Sequence, residues 1–321
     1  MSVKELYTLY AVNTTSPTAS MISQLSNGAT TGGLDVRRAK SAGAPFFDMA
    51  VIDRGAPGVV ATSTDIKAIL DLCLNGGGDG MSADTSGGNV LLTFQKVVKF
   101  AARSVGADNI QFTAAQSLMT WGSINASHTD DATIDFGFAI TSDGTNPPLA
   151  YAGTVTLSGT PGGKDRWCLG PVLINGTQVD GVRSVNIQTG VQMFSAGDNS
   201  LPWPTFTAIN SFTPTIAIAT SDLAEWGNMG FAGPHGAGLP LDGADGVEVF
   251  LRKKKNDAVL EAEVATVHIS IQALNGIATA DGASSSGTDS GEMSIMVSPR
   301  SVDTLTSPLV FDTATACPVA T

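Results

Sequence analysis

The segment His128-Thr129-Asp130-Asp131 sets an imidazole beside two carboxylates, the residue types of a proton-transfer site. General acid–base chemistry needs such groups converging on one reacting atom. Adjacent residues of a strand point to opposite faces, so His128 and Asp130 could converge while Asp131 could not. A polar turn ahead of the strand TIDFGFAI is the preferred reading of the same four residues. His268 is in phase with Thr266, Ser270 and Gln272, which puts it on the polar face of a strand, and His235, in GPHGAG, falls in a loop. Three separated histidines make no HExxH helix and no closely spaced zinc set.

The run GTDSGE (287–292) echoes the surroundings of some nucleophilic serines. It lacks the strand–elbow–helix pattern GxSxG and continues a Ser/Gly stretch, so it reads as a loop. NGGGDGMSAD and LDGADG hold carboxylates among glycines, yet without the alternating acids and final Glu of a calcium loop they read as turns. No GxxxxGK[ST] or helix-opening GxGxxG occurs. Trp121, Trp167, Trp203 and Trp226 are scattered, which suits core or interface packing better than a sugar-binding face. No catalytic, cofactor-binding or metal-binding residue is therefore assigned, no cofactor is implied, and the chain is read as a non-enzyme.

Charge narrows the partners. With 17 basic against 29 acidic residues the net charge is −12, so a nucleic-acid reader, which needs clustered Lys and Arg, is disfavoured. The one basic run, Arg252-Lys253-Lys254-Lys255, reads as a solvated strand end ahead of a turn, with a phosphate-binding patch as the alternative. Cys73, Cys168 and Cys317 are odd in number and widely spaced, so they form neither a disulfide framework nor a metal knuckle. The first residues lack the build of a signal peptide, and no run of 18 apolar residues appears, so synthesis in the cytoplasm without membrane insertion is expected. Asn13, Asn125 and Asn175 match the glycosylation pattern, which carries little weight without secretion.

The elements that would position any of these groups are mostly strands. At 321 residues the chain suits two domains or one large β domain. Charged residues are 14%, against an ordinary value of about a quarter, while hydrophobic residues reach 42%; a neutral polar surface over a sizeable core follows. One helix is expected at 64–74, where Ile66, Ile69, Leu70, Cys73 and Leu74 make a single apolar stripe, with Ser63 or Thr64 as cap. Elsewhere apolar residues alternate: Ile134, Phe136, Phe138 and Ile140; Val185, Ile187, Val191 and Met193; Val247, Val249 and Leu251; Val267, Ile269 and Ile271; Met293, Ile295 and Val297. Asn175-Gly176 marks a hairpin. The fold class is mainly β: packed antiparallel sheets, sandwich-like or barrel-like, with one or two short helices.

The chain also looks duplicated. QLSNGATTGGLDV matches LINGTQVDGVRSV, PGVVATSTDIKAIL matches PTIAIATSDLAEW, and NVLLTFQK matches GVEVFLRK. DATIDFGFAI against VATVHISIQA and YAGTVTLSG against GEMSIMVSP complete a collinear series. Two β lobes, residues 1–165 and 166–321, are expected.

Two pieces, INGTQVDGVRSVNIQTGVQ…PTFTAINSFTPTIAIATSDL and HISIQALNG…SSSGTDSGEMSIMVSPRS, resemble the tail tube (major tail) proteins of long-tailed bacteriophages. The resemblance covers 170–301 and, through the repeat, 20–160. It implies two packed sheets flanked by a helix, assembled into rings that stack as a tube through which DNA passes without specific binding. It further implies hexameric rings or, for a duplicated chain, trimers of pseudo-six-fold symmetry, with other tail proteins as further partners. The expected location is then the virion tail, after synthesis in the host cytoplasm. Another β-rich virion part (a capsid decoration or baseplate protein) and a secreted adhesin or carbohydrate-binding module are the alternatives.

Overall fold

Along Thr133–Thr141, Ile134, Phe136, Phe138 and Ile140 are buried while the residues between them stay half-buried. The period-two pattern thus becomes a strand with its apolar set turned to the core. The computed structural model describes residues 6–31, 34–39, 49–98, 106–157, 165–197, 201–224, 227, 229–231, 236–241, 243, 246–255, 260–284, 291–303 and 306–319. Within them the chain is mainly β, with packed antiparallel sheets and a single α-helix. No sheet closes into a barrel among the described residues, so of the two forms the sequence allows only open, packed sheets are found there.

The first strands are β1 (Leu6–Thr14), β2 (Ser20–Ile22), β3 (Leu25–Thr31), β4 (Leu34–Ala39), β5 (Met49–Gly55) and β6 (Gly58–Ser63). After helix α1 (Ile66–Gly76) come β7 (Ser82–Asp84), β8 (Val90–Val97), β9 (Asn109–Ala114), β10 (Gln116–Ser127), β11 (Thr133–Thr141) and β12 (Leu149–Val155). The second part opens with β13 (Arg166–Ile174), β14 (Thr177–Gln178), β15 (Val182–Gln188), β16 (Gln192–Gly197), β17 (Pro204–Ser211) and β18 (Thr215–Thr220). It ends with β19 (Leu239–Leu241), β20 (Val247–Lys254), β21 (His268–Ala273), β22 (Gly276–Ser284), β23 (Glu292–Pro299) and β24 (Val310–Thr315).

Pairing partners reveal a repeat. One five-stranded sheet has the order β12-β9-β8-β1-β2, and a second has β24-β21-β20-β13-β14. Advancing each label by twelve turns the first order into the second. The same step turns β7-β10-β11-β6-β3 into β19-β22-β23-β18-β15, the two halves of one ten-stranded sheet. It also turns the arm β4–β5 into the arm β16–β17. Even irregularities recur: the bulge between Leu25 and Asn27 reappears between Val182 and Ser184, and that between Trp121 and Ser123 reappears between Ala280 and Gly282. Bulges are local features that re-aim particular strands, so matched positions are stronger signs of a repeat than strand composition.

The end of β6 and the end of β18 share a further device. Ser63 Oγ accepts the Asp65 N–H at 2.9 Å and donates to the Ser23 carbonyl at 2.6 Å. Thr220 Oγ1 accepts the Asp222 N–H at 3.1 Å and donates to the Asp180 carbonyl at 2.6 Å. In the first half this turn launches α1, whose Ile66, Ile69, Leu70 and Cys73 are buried as their spacing demands. Asp65 stands at the N-cap position without a side-chain cap bond, and Gly77 closes the other end by donating to the Cys73 carbonyl at 2.9 Å. In the second half only short turns are described, where Gly227 N–H reaches the Ala224 carbonyl and Gly230 N–H that of Gly227.

The match of β6 with β18 holds, but other equivalences differ from those the sequence suggests. The counterpart of β3 is β15, not the β13–β14 hairpin that carries Asn175-Gly176. β11 answers to β23 rather than β21, and β12 to β24 rather than β23. In β8 and β20 it is Leu92 and Val249 that correspond, since they face Val12 and Val172, and Phe94 then answers to Leu251. The cause is a missed pair of strands: β9 passes to β10 through Ala115 alone, with no Gly or Pro to mark the crossing between sheets. The hairpin itself is as expected, with Asn175 and Gly176 at φ +48° and +75° between β13 and β14. Side chains of all three large sheets and α1 join one contiguous core.

Candidate assembly surface

Several of the described groups with chemical potential make structural contacts. The Asp131 carboxylate takes Lys254 Nζ at 2.7 Å and Arg166, tying the turn before β11 to β20 and β13 of the other half. Partial burial pushes this carboxyl up, but hydrogen bonds and charge from Lys254 and Arg166 outweigh it and hold the group below the usual range. Asp130 instead accepts from the Ser127 and Thr129 hydroxyls, and the His128 ring contacts the Arg183 carbonyl, so His128 and Asp130 do not converge. All four cations of the basic run have carboxylate partners: Arg252 with Glu263, Lys253 with Asp165, Lys254 with Asp131 and Lys255 with Glu261. That arrangement matches a strand end closed by ion pairs rather than a phosphate patch.

His268 shares a strand face with Ser270 and Gln272 as its phase requires, but that polar face is covered and His268 is fully buried. β21 lies between β20 and β24, and both of its faces are covered. The His268 Nδ1 accepts the Lys253 N–H at 3.0 Å and its Nε2 lies 2.9 Å from the Ala262 carbonyl, so the ring braces β20. Asp79 closes its own glycine loop, accepting the Met81 and Ser82 N–H groups at 2.8 and 2.9 Å. Trp121 and Trp167 are core residues and Trp203 is half-buried. His235, Trp226, Asp242, Asp245 and residues 285–290, which hold most of GTDSGE, lie outside the described residues. No cluster of three metal-ligating side chains occurs among the described residues, and no helix there is long and apolar enough to cross a membrane.

The halves meet along a built seam. β10 and β15 pair antiparallel, with Ser123 opposite Gln188, Asn125 opposite Asn186 and Ser127 opposite Ser184. Ile124 and Ala126 face Ile187 and Val185 there, and all four are buried. Thr189 extends the seam by donating to the Trp121 carbonyl at 2.7 Å. Gly190, at φ +57°, then swings the chain into the arm; a Cβ there would stand 2.4 Å from Thr213. The arm crosses the first half, where the Pro204 carbonyl accepts the Ser142 N–H at 2.8 Å and the Pro202 carbonyl the Gly55 N–H at 2.6 Å. It roofs a groove of about 700 Å³ lined by Pro57, Gly58, Ala139, Ile140 and the arm residues Met193 and Pro204. Phe311 of β24 completes the contact by packing on Trp121 and Gly80.

Among the described residues, the seam strand, the arm and the aromatic each have a counterpart with no partner from the other half. β3, the equivalent of β15, ends the ten-stranded sheet, and Ser26, Asn27, Ala29 and Thr30 are exposed. β4 and β5 pair only with each other among the described strands, and Val36 is 51% exposed. Tyr151 corresponds to Phe311: it faces Phe112 on β9 as Phe311 faces Ile271 on β21. Phe311 is 8% exposed, whereas Tyr151 is 65% exposed at the end of an aromatic ladder through Phe112 to Phe94. At the other end of the ten-stranded sheet β19 covers Gly276–Ala278 of β22, as β7 covers Leu118–Thr120 of β10. Beyond it, Gly282–Ser284 has a described partner only in β23. Beside β19 a groove of about 600 Å³ lies between Phe212, Pro214, Thr215 and Pro299 on one side and Met81 and Pro308 on the other. Pro214 stands where Pro57 stands in the first half, 157 residues earlier. Sequence reasoning did not find Tyr151 or these edges, because exposure appears only once partners are assigned. No family model matches the chain, and no curated protein matches it.

Proposed function

We propose that the chain is a structural virion protein, two fused copies of one β unit (1–165 and 166–321), that self-assembles into stacked rings forming a phage tail tube. The observation carrying this reading is the edge-to-edge join of two equivalent halves in one sheet, with matching edges unpaired among the described strands at either side. Such a head-to-tail contact repeats indefinitely, and where the rotation closes it makes a ring. An open edge is otherwise a liability, which closure relieves. The resemblance of 170–301 to tail tube proteins points the same way. The net charge of −12 suits a wall that lets DNA pass without holding it. A trimer then presents six equivalent halves around the axis, other tail proteins cap the stack, and the mature location is the virion.

Negative-stain microscopy of the purified chain tests this. Rings or tubes with a central hole are expected, with six-fold features in end-on views. Dispersed single chains at high concentration would overturn the reading.

A further inference from the structure

We infer that β3 of one copy pairs antiparallel with the Gly282–Ser284 edge of β22 in a second copy, in the register Ala29 opposite Ser284, Thr30 opposite Ala283 and Thr31 opposite Gly282. This rests on the ring-subunit reading and specifies its contact. The register is the internal seam carried one half further along the chain. β10 maps onto β22 by 159 residues, fixed by the bulges after Trp121 and Ala280. β15 maps back onto β3 by 157 residues, fixed by the bulges after Leu25 and Val182. The pairs Asn125–Asn186, Ile124–Ile187 and Ser123–Gln188 thereby become Ser284–Ala29, Ala283–Thr30 and Gly282–Thr31.

Two further surfaces fall into place under the same step. The arm β4–β5 of one copy reaches over the Phe212–Thr215 and Ser298–Ser301 groove of the other, as β16–β17 reaches over its equivalent within the chain. Tyr151 takes the role of Phe311 and is covered by the second copy. Edge, arm and aromatic lie on different sheets, so their common exposure is not one accident of a single strand. The open seam also differs chemically from the internal one. Ala283 and Thr30, both exposed, stand where Ile124 and Ile187 are buried. The outer contact is therefore the less apolar of the two and forms with concentration, while the free chain avoids presenting an isoleucine-lined edge.

Disulfide trapping tests the register. Cβ atoms of directly opposed residues lie within disulfide reach, whereas diagonal neighbours are about 7 Å apart. The chain carrying Ala29→Cys and Ser284→Cys is expected to yield a reducible ladder of covalent oligomers on mild oxidation. Asn27→Cys with Ser284→Cys is expected to yield at least about fivefold less, and either single variant no ladder beyond dimers. Hydrogen exchange on the unaltered chain gives a second readout: amides of 25–31 and 282–284 gain protection on going from dilute chain to assembled particles. Rings with no trapping at 29–284, equal trapping in both pairs, or unprotected β3 amides would overturn this contact while leaving the ring reading intact. A chain that stays monomeric would overturn both.

Discussion

Phe311 meets Trp121 edge-on, with ring centroids 5.9 Å apart and planes at 89°. Trp121 belongs to β10 and Phe311 to β24, so the contact joins the two halves through their cores. The indole Nε1 donates to the Gly80 carbonyl at 2.8 Å, and a Cβ on Gly80, at φ +70°, would sit 2.2 Å from the Phe311 ring. Phe311→Ala is expected to cost about 3–5 kcal/mol. Trp121→Phe keeps the apolar contact but strands the Gly80 carbonyl, for about 1–2 kcal/mol. Gly80→Ala should also destabilise, through both the clash and the strained backbone. Urea unfolding followed by tryptophan fluorescence and circular dichroism measures all three.

Asp131 makes stability depend on pH in one direction. Its carboxyl titrates lower in the folded chain than unfolded, because Lys254 and Arg166 favour the charged form over the opposing effect of burial. The contribution is present above the unfolded value, about 3.9, and is lost as pH falls through the folded value. Arg166 is half exposed, and solvent screening keeps the cluster near 1 kcal/mol. Asp131→Asn should therefore lower stability by about 1 kcal/mol at neutral pH. Unfolding curves of variant and parent should converge as the pH falls below the folded value.

The three cysteines should be silent until the chain unfolds. Cys73, Cys168 and Cys317 are all buried and unpaired. Burial pushes the Cys73 thiol well above the ordinary thiol range, raises Cys168, and takes Cys317 up to about 12. Thiolate, the reactive form, is then scarce at pH 8. A colourimetric thiol reagent should count no fast-reacting group in the native chain and three in denaturant. Fast labelling of any native thiol would contradict the packing around it.

Element type was legible because it depends on local periodicity. The α1 stripe and the alternation of β11, β20 and β23 each reflect which face is wet. Pairing was not legible, because every half-buried strand carries the same alternation and aligns with every other. Asp65 and Asp222 were matched correctly since a Pro-led strand, a hydroxyl and an acid precede a turn in both halves, a combination with chemical content. The burial of His268 is not legible because β21 is covered on both faces, which alternation cannot encode. The open edges emerge only from the strand order: Tyr151 and Phe311 are both aromatic, and nothing local distinguishes the one left outside.

The hydroxyls of Ser63 and Thr220 offer a thermodynamic test of the repeat. Both are fully buried, and each bridges an N–H two residues ahead to a carbonyl forty residues back in the chain. Ser63→Ala leaves the Asp65 N–H and the Ser23 carbonyl without that partner, and Thr220→Val does the same to Asp222 and Asp180. Each loss should cost about 1–3 kcal/mol. The sites stand four strand spacings apart in the ten-stranded sheet, about 19 Å, so neither feels the other directly. The double variant should then lose the sum of the two single losses to within about 0.5 kcal/mol. Denaturant midpoints of the four chains measure this. Equal costs that add mark two uses of one device; a negligible cost at either site would mean that the shared geometry does not carry shared energetics.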